Sequence, residues 1–174
     1  MTTMTEHTAD TVRKSISVRA SPERAFEVFT REFDSWWPRT HHIGKAPMKK
    51  AVIQGMVGGH CYTEQTDGTV CQWGTVLVWE PPHRLVLAWQ IDGQWQYVPH
   101  VAQASEVEVR FTPESGHSTR VELEHRYLSR HGAEAAGIRS AVDSPNGWSG
   151  LLELFARCAG GSNEAGRLAS SSDR

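Results

Sequence analysis

From Val12 to Arg19 apolar and polar residues alternate. Val12, Lys14, Ile16 and Val18 fall on one face, and Arg13, Ser15, Ser17 and Arg19 on the other. A period of two predicts a strand, and one largely apolar face beside a charged one suits the edge of a sheet. Ser21-Pro22-Glu23 then reads as a helix start: a capping hydroxyl, a proline whose missing N–H costs nothing there, and an acid in the first turn. Ala25, Phe26, Phe29 and Phe33 follow at helical spacing, so a short amphipathic helix is expected to run to about Phe33, where Asp34-Ser35-Trp36-Trp37-Pro38 breaks it.

The middle of the chain reads as strand and turn throughout. Ala51 to Gln54 is a short apolar piece, and Gly58-Gly59 opens another that continues to Glu64. Asp67-Gly68 is a hairpin turn signal. Val70 to Trp79 and Arg84 to Ile91 are apolar runs joined by Pro81-Pro82-His83, and Asp92-Gly93 turns into an aromatic insert, Trp95-Gln96-Tyr97. The last hairpin carries the clearest pattern. Val107, Val109 and Phe111 alternate with Glu106, Glu108 and Arg110; after a turn at Pro113 to Gly116, Val121, Leu123, His125 and Tyr127 alternate with Arg120, Glu122, Glu124 and Arg126. One buried face and one face of mixed charges, able to pair across strands, define an antiparallel sheet with a solvated side.

Ser144-Pro145 announces a final helix in which Trp148, Leu151, Leu152 and Phe155 form one apolar stripe at i, i+3, i+4 and i+7, and Gly160-Gly161 ends it. The predicted order is strand, helix, about six strands, helix. That is an α+β layout in which the helices must cover one face of the sheet. The polar, Ser- and Gly-rich ends, 1–10 and 161–174, read as disordered tails, which leaves 11–160 as one domain.

Composition narrows the function classes. Eighteen Lys plus Arg against 20 Asp plus Glu give a net charge of −2, so electrostatics offers no reason to expect nucleic acid or an anionic membrane as partner. No apolar run is long enough to span a bilayer, and the first ten residues lack the apolar stretch of a signal peptide. The three cysteines, Cys61, Cys71 and Cys158, form no paired framework. A cytoplasmic protein is the expectation. Nine histidines raise the question of a metal, yet His41-His42 is an adjacent pair in a loop and no ligand spacing occurs, so no metal is expected. With no phosphate loop, nucleophile elbow or dinucleotide fingerprint, no cofactor is expected either.

Several segments in order carry a resemblance: Gly58-Gly59, Trp73-Gly74-Thr75-Val76-Leu77, Glu80 through Trp89, Glu106 to Pro113, Thr119 through Arg126, and Gly147-Trp148 with Leu151-Leu152. Over about residues 12–159 the chain resembles the START-like (SRPBCC) superfamily, and in particular homologues of the C-terminal domain of the activator of the ninety-kilodalton heat-shock protein's ATPase. The resemblance implies a helix-grip fold: a curved antiparallel sheet of about six to seven strands, short helices after strand 1, and a long C-terminal helix closing a central cavity. The superfamily holds lipid carriers, hormone-binding proteins, polyketide cyclases and co-chaperones, so the fold leaves the activity open.

The seven tryptophans are the outstanding compositional feature. One buried indole is ordinarily core, but several on strands and one on the closing helix make the wall of an apolar pocket. Trp89, Trp95, Tyr97 and Trp148 are the first candidates for ligand contact, with Trp73, Trp37, Phe155 and Leu152 beside them; Trp79 reads as a plug at the sheet end. Alternation places His125 on the buried face, where a neutral, hydrogen-bonded core histidine is expected and a ligand anchor or general base is the alternative. Tyr127 is expected to share that face. His60 and Glu64 share a face with Tyr62, and the pattern does not decide whether it is the inner or the outer one.

Three functions follow as expectations. The first is a binding module for a hydrophobic or aromatic small molecule. The second is a cyclase/aromatase- or hydrolase-like enzyme that uses His125, Tyr127, His60 or Glu64 in the same cavity. The third is a co-chaperone of a heat-shock ATPase, which the length of the chain disfavours because it leaves no room for a separate chaperone-binding domain. Pairing through the edge Val12–Arg19 makes a homodimer conceivable.

Overall fold

In the computed structural model, which describes residues 10–114 and 116–160, the alternating N-terminal segment forms strand β1 (Val12–Val18). Six more strands follow: β2 (Met48–Ile53), β3 (His60–Gln65), β4 (Val70–Glu80), β5 (Arg84–Trp89), β6 (Ser105–Pro113) and β7 (Thr119–Arg126). They build one antiparallel sheet in the order β1-β7-β6-β5-β4-β3-β2, so the expected strand count and the edge position of β1 both hold. Register shifts at Met48/Lys50, Cys61/Tyr62 and Val76/Val78 interrupt the ladders of β2 to β5. Such bulges bend a strand and increase its twist, which curls the sheet into a half-barrel.

The last hairpin behaves as its pattern requires. Val107, Val109, Phe111, Val121, Leu123 and His125 are buried, and Arg126 pairs across the strands with Glu106 at 3.1 Å. On the opposite face Glu108 is only 5% exposed, held by Arg84, Arg110 and Arg126. Burial works to raise its pKa, but the three guanidinium groups outweigh it and hold the carboxyl below its ordinary value.

The Ser21 hydroxyl accepts from the Arg24 N–H at 3.1 Å and caps α1 (Pro22–Phe29), as the sequence predicts. The helix stops earlier than expected. Chain direction changes at Thr30, and Phe33 opens a separate short helix, α2 (Phe33–Trp36), rather than ending the first. The C-terminal helical layer also starts earlier than Ser144-Pro145. A 3-10 stretch (Leu128–Glu134) leads into α3 (Ala135–Asp143), then a π-turn (Pro145–Ser149) and α4 (Gly150–Cys158). Ser144 does not cap the following helix; its hydroxyl donates to the Ala141 carbonyl at 2.7 Å and closes α3 instead. Gly147 is required in the π-turn, because a Cβ there would lie 2.2 Å from the Val142 carbonyl oxygen.

Phe26, Phe29, Phe111, Trp36 and Phe155 pack edge to face or tilted at the centre of the core, between α1, α2, α4 and the sheet. The expected tails at 1–10 and 161–174 lie outside the described residues except for Asp10, whose carboxylate accepts from the Ser129 N–H at 2.7 Å. No helix among the described residues is long and apolar enough to cross a membrane.

Candidate functional site

Between the sheet and the helical layer lies a cavity of about 340 Å³. Trp73 reaches it from β4, Trp89 from the end of β5, Trp37 from the residue after α2, and Trp148 from the π-turn before α4. The four indoles form a closed ring of neighbours. Trp37 stacks on Trp73 at 5.8 Å with planes 4° apart; Trp73 meets Trp89 at 5.9 Å, Trp89 meets Trp148 at 6.0 Å, and Trp148 returns to Trp37 at 6.4 Å. Ile43, Ile91, Val142 and Leu151 complete an apolar lining, and Thr40, His41, His42, Ser144 and Asn146 supply the polar groups.

Trp95 also borders the cavity, but at its rim. It is 51% exposed and adopts a left-handed backbone (φ 60°) in a turn where the Asp92 carboxylate accepts from the N–H groups of Gln94 and Gln96. Tyr97 is exposed on the far side of that turn, bridged to Ile91, and does not line the cavity. Phe155 and Leu152 do not line it either. The stripe on α4 is wider than the cavity, so Leu151 faces the empty space while Leu152 and Phe155 are buried in the core. Trp79 packs on Phe26 at the opposite end of the sheet.

His125 is fully buried behind the indole ring, 5.2 Å from Trp89 and 6.1 Å from Trp148. Both of its nitrogens are engaged. The Trp148 N–H donates to His125 Nδ1 at 3.1 Å, and His125 Nε2 lies 2.8 Å from the Ser105 hydroxyl, itself 2.7 Å from His131 Nε2. An indole nitrogen can only donate, so Nδ1 must be the acceptor, Nε2 carries the proton and donates to Ser105, and Ser105 donates onward to His131. Burial, reinforced by the nearby His131, pushes the His125 pKa down to about 3, and burial also lowers that of His131. A ring held neutral with both nitrogens occupied orients Trp148; it is poorly placed to exchange protons with a ligand.

The structure separates the other acid–base candidates from this site. The alternation that would bring Tyr127 inward ends at Arg126; Tyr127 takes a left-handed backbone (φ 59°), is 41% exposed, and lies under the Arg130 guanidinium at 4.3 Å. On β3, Cys61, Thr63 and Gln65 are the buried set, so His60, Tyr62 and Glu64 face away from the core, and Glu64 pairs with Lys50 at 3.4 Å. His60 and Glu64 are therefore not cavity groups. The histidines that do reach the cavity are His41 and His42. His41 Nε2 donates to the Asn146 carbonyl at 2.9 Å, its Nδ1 lies 3.1 Å from the Thr40 hydroxyl, and His42 Nδ1 lies 3.4 Å from the Gln65 amide.

Sequence reasoning passed over this pair because a two-histidine loop has no periodicity. Ser105 was legible in principle: it shares parity with Val107, which pairs with His125. His131 lies in no periodic segment. The cysteines are free among the described residues, and no group of three His, Cys, Asp or Glu side chains there could hold a metal ion.

Among curated proteins none matches the chain significantly. Solved structures do. An anthrahydroquino-γ-pyrone synthase, Txn09, solved as a complex, is 46% identical over 85% of this chain and 96% of its own, with a TM-score of 0.61. CalC, a self-sacrificing resistance protein from Micromonospora echinospora, is 28% identical over 87% of this chain and 94% of its own, with a TM-score of 0.63. A protein of Nitrosomonas europaea shares the fold at 13% identity, with a TM-score of 0.60 over 87% of this chain and 94% of its own. The family model described as Activator of Hsp90 ATPase homolog 1-like protein matches residues 19–160, and the chain belongs to that family.

Proposed function

We propose that this chain binds a flat polycyclic aromatic molecule in the tryptophan-lined cavity and catalyses a ring closure on it. The observation that carries the reading is the closed ring of four indoles around a cavity of about 340 Å³. Large flat rings at fixed angles bind flat ligands by area and stacking. The name of the relative at 46% identity, an anthrahydroquino-γ-pyrone synthase, supports a fused aromatic substrate and a cyclisation.

The chemistry asks little of the protein. To form a γ-pyrone from an aryl diketone, the neighbouring phenol oxygen adds to the far carbonyl carbon while a base takes the phenol proton and the carbonyl oxygen is protonated; the hydroxyl of the resulting hemiketal then leaves as water as a proton is lost from the methylene between the two carbonyls, which forms the ring double bond. His42 at the cavity edge is the group of this chain suited to move those protons, whereas both ring nitrogens of His41 are hydrogen-bonded, to the Asn146 carbonyl and the Thr40 hydroxyl. His125, locked and neutral, serves the architecture instead.

A 1-hydroxyanthraquinone bearing a 1,3-diketone on the adjacent carbon tests the reading. Catalysed loss of one water is expected, followed by mass, and His42→Ala should slow it by about 100-fold. Tight binding without conversion would instead support a binding protein, a reading favoured by the predominantly apolar lining and by the 28% identity to a resistance protein. Stimulation of a heat-shock ATPase with neither binding nor conversion would support the co-chaperone function.

A further inference from the structure

Gln65 is the last residue of β3 and is fully buried, so each end of its amide must find a partner. One end lies 3.2 Å from the carbonyl oxygens of both Thr63 and Thr69. The other lies 2.9 Å from the Thr63 hydroxyl and 3.4 Å from His42 Nδ1. Carbonyl oxygens only accept, so the end between them is the NH2 group, and the end beside Thr63 and His42 is the oxygen. The Thr63 hydroxyl donates to that oxygen, whose second lone pair is left for His42.

Nδ1 must then carry the hydrogen. A neutral imidazole has one N–H and one lone pair, and a nitrogen facing a carbonyl-type oxygen can bond to it only as the donor. The lone pair of His42 is therefore on Nε2. That nitrogen has no hydrogen-bond partner among the described residues, and it points across the ring from Nδ1, away from the buried amide. His42 lines the cavity together with its neighbour Ile43. The next residue, Gly44, makes the contact possible: a Cβ there would stand 2.6 Å from the Gln65 Cδ, so a side chain would push the amide from its place.

We infer that Gln65 is a positioning residue for His42: its amide oxygen fixes the Nδ1–H tautomer, so that Nε2 is the base presented to the cavity. This rests on the reading of His42 as the group that moves protons in the ring closure. It adds what that reading needs, because an imidazole free to turn or to exchange tautomers offers the phenol a lone pair only part of the time. Free histidine favours hydrogen on Nε2, so the buried amide reverses the ring's own preference.

Nitrogen NMR of the full chain, isotope-labelled in its histidines and held at about pH 8, reads the tautomer directly. The His42 signals, identified by their loss in His42→Ala, should show hydrogen on Nδ1 and a bare Nε2. Saturation with 9-fluorenone, a planar tricyclic ketone whose binding is followed by tryptophan quenching, should shift the Nε2 signal. In Gln65→Met, which keeps the length of the side chain and removes the acceptor, the hydrogen should move to Nε2. In the ring closure the same variant should lose at least about 10-fold in kcat with KM unchanged. Hydrogen on Nε2 in the wild type overturns the inference, as does an Nδ1–H form that persists in folded Gln65→Met. An Nε2 signal unmoved by the bound ketone overturns it as well. If Gln65→Met does not fold, the wild-type tautomer and its response to the ketone decide. An Nδ1–H form in a chain that never converts the diketone overturns the ring-closing function and leaves the hold of Gln65 on His42 standing.

Discussion

A chain ending at Asp143 is expected to be insoluble or to lack cooperative melting, because it loses the elements that close the core. The removed segment carries Trp148, Leu151, Leu152 and Phe155, all at most 5% exposed, together with buried Ala156 and Ala159. Full burial of each large side chain is worth roughly 1.5–3 kcal/mol. Four of them together rival the roughly 5–15 kcal/mol that stabilises a typical domain. Removal also uncovers Phe29 and Trp36, which pack on Phe155 at 5.2 and 5.6 Å, and opens the cavity along one side. Thermal unfolding followed by near-ultraviolet circular dichroism reads the result. A truncated chain that melts like the full one would show that α4 does not close the core.

His125→Ala should destabilise the fold by about 3–5 kcal/mol, combining the cavity left by the ring with the Trp148 N–H left unpaired. His125→Gln, which can still accept from Trp148, should cost less. The same histidine makes stability depend on pH. Its pKa is about 3 when folded, against an ordinary value of 6.5 that the unfolded chain regains. The unfolded state therefore binds the extra proton below pH 6.5, and the stability gained by burying a neutral ring is complete above that pH and is lost as pH falls toward 3. Each unit in that window is worth about 1.4 kcal/mol. Urea unfolding at pH 7.5 and pH 4.5 should show a steep loss in the wild type and a shallower one in His125→Gln, with His131 contributing the remainder in the same direction. Parallel losses in the two proteins would mean that His125 is not the buried neutral group described above.

The parts of this molecule legible from sequence are those where a period meets a boundary. The strands β6 and β7 were fixed by alternation, the first helix start by Ser21 and Pro22, and the inward position of His125 by parity. Periodicity failed where the chain changes conformation between two residues. Tyr127 continues the pattern on paper, yet its left-handed backbone turns it outward, and within Ser144-Pro145 the serine closes α3 while the proline opens the π-turn. The candidate site was half legible. Aromatic content pointed to Trp37, Trp73, Trp89 and Trp148, but their closure into a ring depends on the curl of the sheet and the turn at Gly147, which are tertiary facts. His41, His42 and Leu151 reach the cavity for the same reason. On β3, even spacing identified a shared face for His60, Tyr62 and Glu64, and only the packed sheet shows that it is the outer one.

The cavity itself is open to one decisive titration. Val142 lines it from α3 and is otherwise buried, so Val142→Phe places a ring in the empty space. Tryptophan emission of the full chain should be quenched by 9-fluorenone with saturation at about one ligand per chain, since the ligand enters among the indoles. In Val142→Phe the affinity should fall at least about 10-fold while the melting temperature stays within a few degrees. Quenching at wild-type affinity in the blocked variant would place the ligand elsewhere on the surface and contradict the assignment of this cavity as the binding site.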